Sequence, residues 1–120
     1  MITHRHATLA FAFALALLPA GLAEAHHGWS SYDANTVLRF EAPIQEVSYQ
    51  SPHGLLVVEH DGKRWEVVLA PPSRMQARGL PREDLTVGKT VIIEGYPSRR
   101  DEGELRAERI TVDGRTVELR

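Results

Sequence analysis

Between residues 37 and 49 the apolar side chains fall at Leu38, Phe40, Ala42 and Ile44 and then at Val47 and Tyr49, so a period of two slips phase at Gln45-Glu46. Period two is the pleat of a half-buried strand, and a slip within it predicts one long strand carrying a bulge. A bent first strand of this kind can serve two sides of a small barrel. Ser51-Pro52-His53-Gly54 breaks the pattern, and residues 55–59 read as a short strand rich in Leu and Val. Asp61-Gly62 separates it from a further strand at 65–69. Both positions of a two-residue type I′ turn need positive φ, which Asp and Gly tolerate, so this pair predicts an antiparallel hairpin.

Pro71-Pro72-Ser73 opens a short helix that runs to Arg78 and is stopped by Gly79. Residues 80–89 form a connector in which Leu85 and Val87 are expected to turn inward. Residues 90–95 are a strand, 97–103 a charged loop, and 105–112 a strand with Leu105, Ala107 and Ile110 as core positions. An Asp113-Gly114 turn leads into residues 116–119. Three strands, a short helix, two strands and a small extra hairpin predict an all-β protein, a small OB-like five-stranded barrel with one short helix. An immunoglobulin-like sandwich, the second choice, would need about seven strands and no helix.

Ahead of the barrel, assigned to residues 37–120, the stretch 26–36 mixes Gly, Ser, Asn and Asp with Trp29 and Tyr32. This composition suits an irregular N-terminal arm pinned by its two aromatics. Residues 1–25 have a different character. Arg5 lies between His4 and His6, an apolar run covers 7–18, Pro19 and Gly21 break it, and Ala23-Glu24-Ala25 follows with small residues at both key positions. The run of about 12 apolar residues is short of the ~20 that span a bilayer. The pattern predicts a secretory signal peptide cut after Ala25, a periplasmic destination, no stable membrane anchor, and His26 as the first residue of the mature chain.

Composition narrows the function. Lys and Arg number 14 against 16 Asp and Glu, a formal net charge of -2 that makes nucleic acid a poor partner. The absence of cysteine excludes disulfides, thiolate metal sites and cysteine nucleophiles. Ser30 and Ser31 stand in no catalytic motif, no glycine loop precedes a helix, and no HExxH occurs, so an enzyme is not expected and no catalytic or cofactor-binding residues are assigned.

A set of short motifs runs through nearly all of residues 26–120. Ala25-His26-His27 at the leader junction is followed by Tyr32-Asp33-Ala34-Asn35, by Val47 with Tyr49, and by Ser51-Pro52-His53. Trp65, Pro72, Arg78-Gly79, Leu85 with Gly88, Val91, Gly95-Tyr96-Pro97 and Asp113-Gly114-Arg115 continue the series. In this order and spacing the chain resembles the domain of unknown function 6152 family of small exported bacterial proteins. It departs from that pattern at Tyr49, Ser51 and Ala42, and in the apolar Val68-Leu69 pair. The resemblance implies a periplasmic OB-like barrel and brings no established activity with it.

Metal binding is the sharpest chemical expectation. A cut after Ala25 would let the α-amine and imidazole of His26 chelate one ion together, with His27 or His53 completing a three-nitrogen set. Cu(II) favours a planar nitrogen set and heads the affinity order for such ligands. Both ligand types shed their protons readily near neutral pH. The competing picture is a solvated polar end, with His53 a turn residue bonded to a nearby carbonyl. His60, beside the Asp61-Gly62 turn, reads as a solvated strand end. Trp65, Tyr49 and Tyr96 could make an aromatic platform of the kind OB-folds use, although Trp65 alternates with Val67 and Leu69 as a core residue would. Arg99, Arg100, Asp101, Glu102 and Glu104 read as a solvated loop. The sequence therefore points to an exported binding or accessory protein, copper-binding through His26, His27 and His53. The alternative is an OB-type interaction module for a peptide, glycan or partner protein.

Overall fold

The structure, a computed structural model, describes Thr3 and residues 28–120. A 3-10 turn at Trp29–Ser31 leads into β1 (Leu38–Ser48), β2 (Leu55–His60) and β3 (Lys63–Val68). The helix α1 (Pro72–Ala77) and a second 3-10 turn (Arg82–Asp84) precede β4 (Thr90–Pro97), β5 (Glu104–Val112) and β6 (Arg115–Glu118). The strands hydrogen-bond in the order β3-β2-β1-β4-β5-β6, and a parallel pairing of β3 with β5 closes five of them into a barrel with β6 outside the closure. The small OB-like barrel with one short helix among the described residues is the architecture expected from the pattern.

The phase slip in β1 has a structural role. Residues Leu38 to Pro43 pair with β4, whereas Ile44 to Ser48 pair with β2, and the register to β2 shifts between Ile44 and Glu46. The bulge falls where the strand passes from one neighbour to the other, adding the local bend that closure demands. Phe40, Ala42 and Ile44 face inward on one side of it and Tyr49 on the other. They meet Leu56, Val58, Val67, Val91, Ile93, Leu105, Ala107 and Ile110 in a single core.

The turns obey the same local chemistry. Asp61 and Gly62 have φ of 51° and 75°, and Asp113 and Gly114 have 50° and 77°, the left-handed pair that a type I′ hairpin requires. Pro72 stands in the first turn of α1, where its missing N–H costs nothing. The helix turns Met75 into the core, and Leu80 follows it there. Two departures arise from tertiary geometry. Val87 is 66% exposed, not inward: the Lys89 N–H donates to Thr86 O at 3.1 Å and the Gly88 N–H to Ile44 O at 2.7 Å, so a tight turn strapped to β1 throws Val87 out at its tip. Trp65 is half-buried rather than a core residue; it packs beside Phe40 at 6.2 Å between ring centres, with the Lys63 ammonium 4.2 Å above it.

Candidate functional site

The arm docks on the barrel where the charged loop leaves β4. Tyr32 pairs as an isolated bridge with Ser98, the Asp33 N–H donates to Pro97 O at 2.9 Å, and the Arg99 N–H donates to Ser31 O at 2.9 Å. Asp33 then folds the chain back on itself, accepting from the Asn35 N–H at 3.0 Å and the Thr36 hydroxyl at 2.7 Å. These bonds, Thr36 first, hold its carboxyl below the usual value. Tyr32 is 7% exposed, and its hydroxyl donates to Glu104 Oε2 at 3.3 Å. Burial, followed by the negative charge of Glu104, pushes this phenol up to about 12, so at neutral pH it is a neutral donor.

Where the arm docks there is a partly open cavity of about 210 Å³ with Ser31, Tyr32, His53, Val68, Arg100, Asp101 and Glu104 in its walls. His53 arrives there from the β1–β2 loop. That loop contains a cis Ser51-Pro52 bond and is fastened to the end of β3 by the Gly54 N–H donating to Ala70 O at 2.9 Å and the Leu69 N–H donating to Gly54 O at 2.8 Å. His53 Nδ1 is buried and has no hydrogen-bond partner among the described residues. The turn-residue picture, in which this ring bonds a nearby carbonyl, is therefore not what Nδ1 does. His26 and His27 lie outside the described residues. Among the described residues no group of three His, Cys, Asp or Glu side chains is placed to hold a metal ion, so His53 with the carboxylates of its cavity is not a complete site. Val68 gives the cavity an apolar wall.

Tyr32 is also a wall of a second cavity, of about 370 Å³, lined by Trp29, Tyr96, Arg99 and Arg120. Trp29 meets Tyr96 edge-on at 6.1 Å between ring centres and Tyr32 at 6.4 Å. The guanidinium carbons of Arg106 and Arg120 stand 4.4 and 4.7 Å from the Trp29 ring centre. Tyr96 donates its hydroxyl to the Glu108 carboxylate, and this bond, more than burial, raises its pKa.

The platform expected from Trp65, Tyr49 and Tyr96 does not assemble. Tyr49 is buried and donates to Leu80 O at 2.6 Å, Trp65 sits with Phe40 and Lys63, and Tyr96 belongs to the Trp29 group. His60 is more than a solvated end, since its ring stacks on Phe40 at 4.4 Å and 10°. The charged loop is likewise only partly solvated: Ser98 Oγ accepts from the Arg100 and Asp101 N–H groups at 3.1 and 3.0 Å, and Glu104 turns to Tyr32. Arg106 and Arg120 were invisible as site residues in the sequence. The only hint was Arg106 on the β5 face opposite Leu105 and Ala107, where a lone Arg reads as solvent-facing.

No curated protein matches the chain. A model for a family of unknown function, DUF6152, matches residues 15–106, which takes in the arm, His53, both cavities' aromatic residues and the start of β5 with Glu104 and Arg106. The chain belongs to the DUF6152 family.

Proposed function

We propose that this chain is an exported periplasmic metal-binding accessory protein. Cu(II) is held by the α-amine and imidazole of His26 after removal of residues 1–25, with His53 or His27 supplying the third nitrogen. The observation that carries this reading is the buried Nδ1 of His53, without a partner among the described residues, in the cavity that Ser31 and Tyr32 of the arm help to line. Leaving a buried polar atom unpaired costs about 1–3 kcal/mol, a cost that a metal ion bound to the unprotonated nitrogen would relieve. Ser31 and Tyr32, five and six residues beyond His26 in the chain, line the cavity that presents this nitrogen, together with Asp101, Glu104 and Arg100. A histidine-rich, carboxylate-flanked set suits a divalent ion of the copper type.

The proposed role is binding, with no reaction assigned. The alternative is an OB-type interaction module that grips a peptide, glycan or partner protein on its barrel face; a platform of Trp65, Tyr49 and Tyr96 does not support it, since the three rings are apart. Purified exported protein, examined by intact mass and then titrated with Cu(II), tests the metal reading. The expected result is a chain that begins at His26 and binds one equivalent, with His53→Ala weakening binding by roughly 100-fold and His60→Ala without effect. A mass that retains the leader or begins beyond His26, or a wild-type chain that takes up no copper, overturns it.

A further inference from the structure

Arg106 carries a charge that no carboxylate neutralises among the described residues. Its guanidinium lies against Trp29 at 4.4 Å and Tyr32 at 5.9 Å from the ring centres, and its Nε is buried with no hydrogen-bond partner. Burial first, and then the like charges of Arg74 and Arg120, pulls its pKa below the usual guanidinium range, offset only by Tyr32. Cation–π contact compensates part of this, but a half-buried charge amid like charges still calls for an anion.

The neighbouring guanidinium groups are only loosely committed. Arg120 reaches Glu108 at 3.9 Å and Arg99 reaches Asp33 at 3.8 Å, long for charge-assisted bonds. Both line the open cavity of about 370 Å³ whose apolar surface is Trp29, Tyr32, Ala34 and Tyr96. That volume lies at the lower end of the range for small-molecule sites, roughly 300–1,000 Å³. Aromatic walls set at steep angles to one another, 79° between Trp29 and Tyr96, and edged by guanidinium forks match one ligand chemistry, an oxyanion on a small apolar body.

We propose that this groove binds a small organic anion, with its carboxylate or phosphate group held by Arg120 and Arg99, its body between the walls of Trp29 and Tyr96, and Arg106, which reaches the groove through its contact with Trp29 and not as a lining residue, adding its positive field. The site uses no residue of the proposed copper set and needs no metal ion; Tyr32 is the wall between the two cavities.

The test uses the full-length exported protein, washed with a chelator, in a Trp65→Phe background so that fluorescence reports Trp29 alone. Benzoate and phenyl phosphate serve as probes, with neutral benzamide as the isosteric control. Saturable quenching by at least one of the two anions is expected, weakening as salt is raised, with benzamide at least roughly tenfold weaker. Tighter binding of benzoate would assign a carboxylate ligand, and tighter binding of phenyl phosphate a phosphate ester. Arg106→Gln should weaken binding roughly tenfold or more. Arg120→Gln, at a side chain 56% exposed and therefore safe for folding, should do the same, while Arg64→Gln should not. The proposal is overturned if neither anion saturates, if benzamide binds as well as the anions, or if Arg120→Gln leaves affinity unchanged.

Discussion

The hydroxyl of Tyr32 donates to Glu104 Oε2 at 3.3 Å, joining the arm to the first residue of β5. Through this contact one side chain separates the cavity that holds His53 from the groove floored by Trp29. The arm is thereby part of the barrel's binding surface.

The raised pKa of Tyr32, about 12, has a definite sign. A phenol whose folded-state pKa lies above its unfolded value of about 10 adds stability that is present below pH 10 and lost as pH rises from 10 towards 12. Thermal unfolding followed across that window should show a falling melting temperature. Tyr32→Phe, which keeps the ring and drops the bond, should flatten the alkaline decline at a cost of about 1 kcal/mol at pH 7. An unchanged alkaline profile in the variant would show that Tyr32 is not its source.

Asp33 sets the opposite limb. Its carboxyl is held below the usual value by the Thr36 hydroxyl and then the Asn35 N–H, so its stabilising effect is present above the unfolded pKa of about 4 and lost as pH falls through the folded value. Trp29 fluorescence in the Trp65→Phe background should report loosening of the arm below about pH 4. Asp33→Asn should remove this acid step, and a step that survives the substitution would locate it elsewhere.

Gly95 lies where the register of β4 to β5 shifts, tight against the β5 backbone. A Cβ built there would stand 2.1 Å from Arg106 O and 2.8 Å from Ala107 Cα, and both obstacles are backbone. Gly95→Ala should cost about 3 kcal/mol or more in denaturant unfolding. Gly62→Ala meets nothing within 4 Å and pays only for a φ of 75°, about 1 kcal/mol. Equal costs at the two positions would contradict the close crossing.

The proposed copper set can be separated from ordinary histidine binding by adding one residue ahead of His26. This keeps every imidazole and displaces only the terminal amine. Copper affinity is expected to fall as steeply as in His26→Ala, read by titration against a competing chelator. Affinity that survives the extension would remove the amine from the set.

The elements legible in the sequence were those decided within a few residues. Asp61-Gly62 and Asp113-Gly114 accept positive φ with little help from the fold, Pro72 starts a helix because its ring already has the right φ, and the slip at Gln45-Glu46 is written in the alternation of β1 itself. Partners far apart in the chain were decided by closure alone. The parallel pairing of β3 with β5 and the docking of the arm on Pro97 and Ser98 bring Trp29 to Arg106 and Arg120, and place His53 beside Tyr32. Period two tells which face of a strand a residue occupies, but not which distant side chain will face it there. For that reason Tyr49 could be read as a surface aromatic until the chain beyond α1 set the Leu80 carbonyl within 2.6 Å of its hydroxyl.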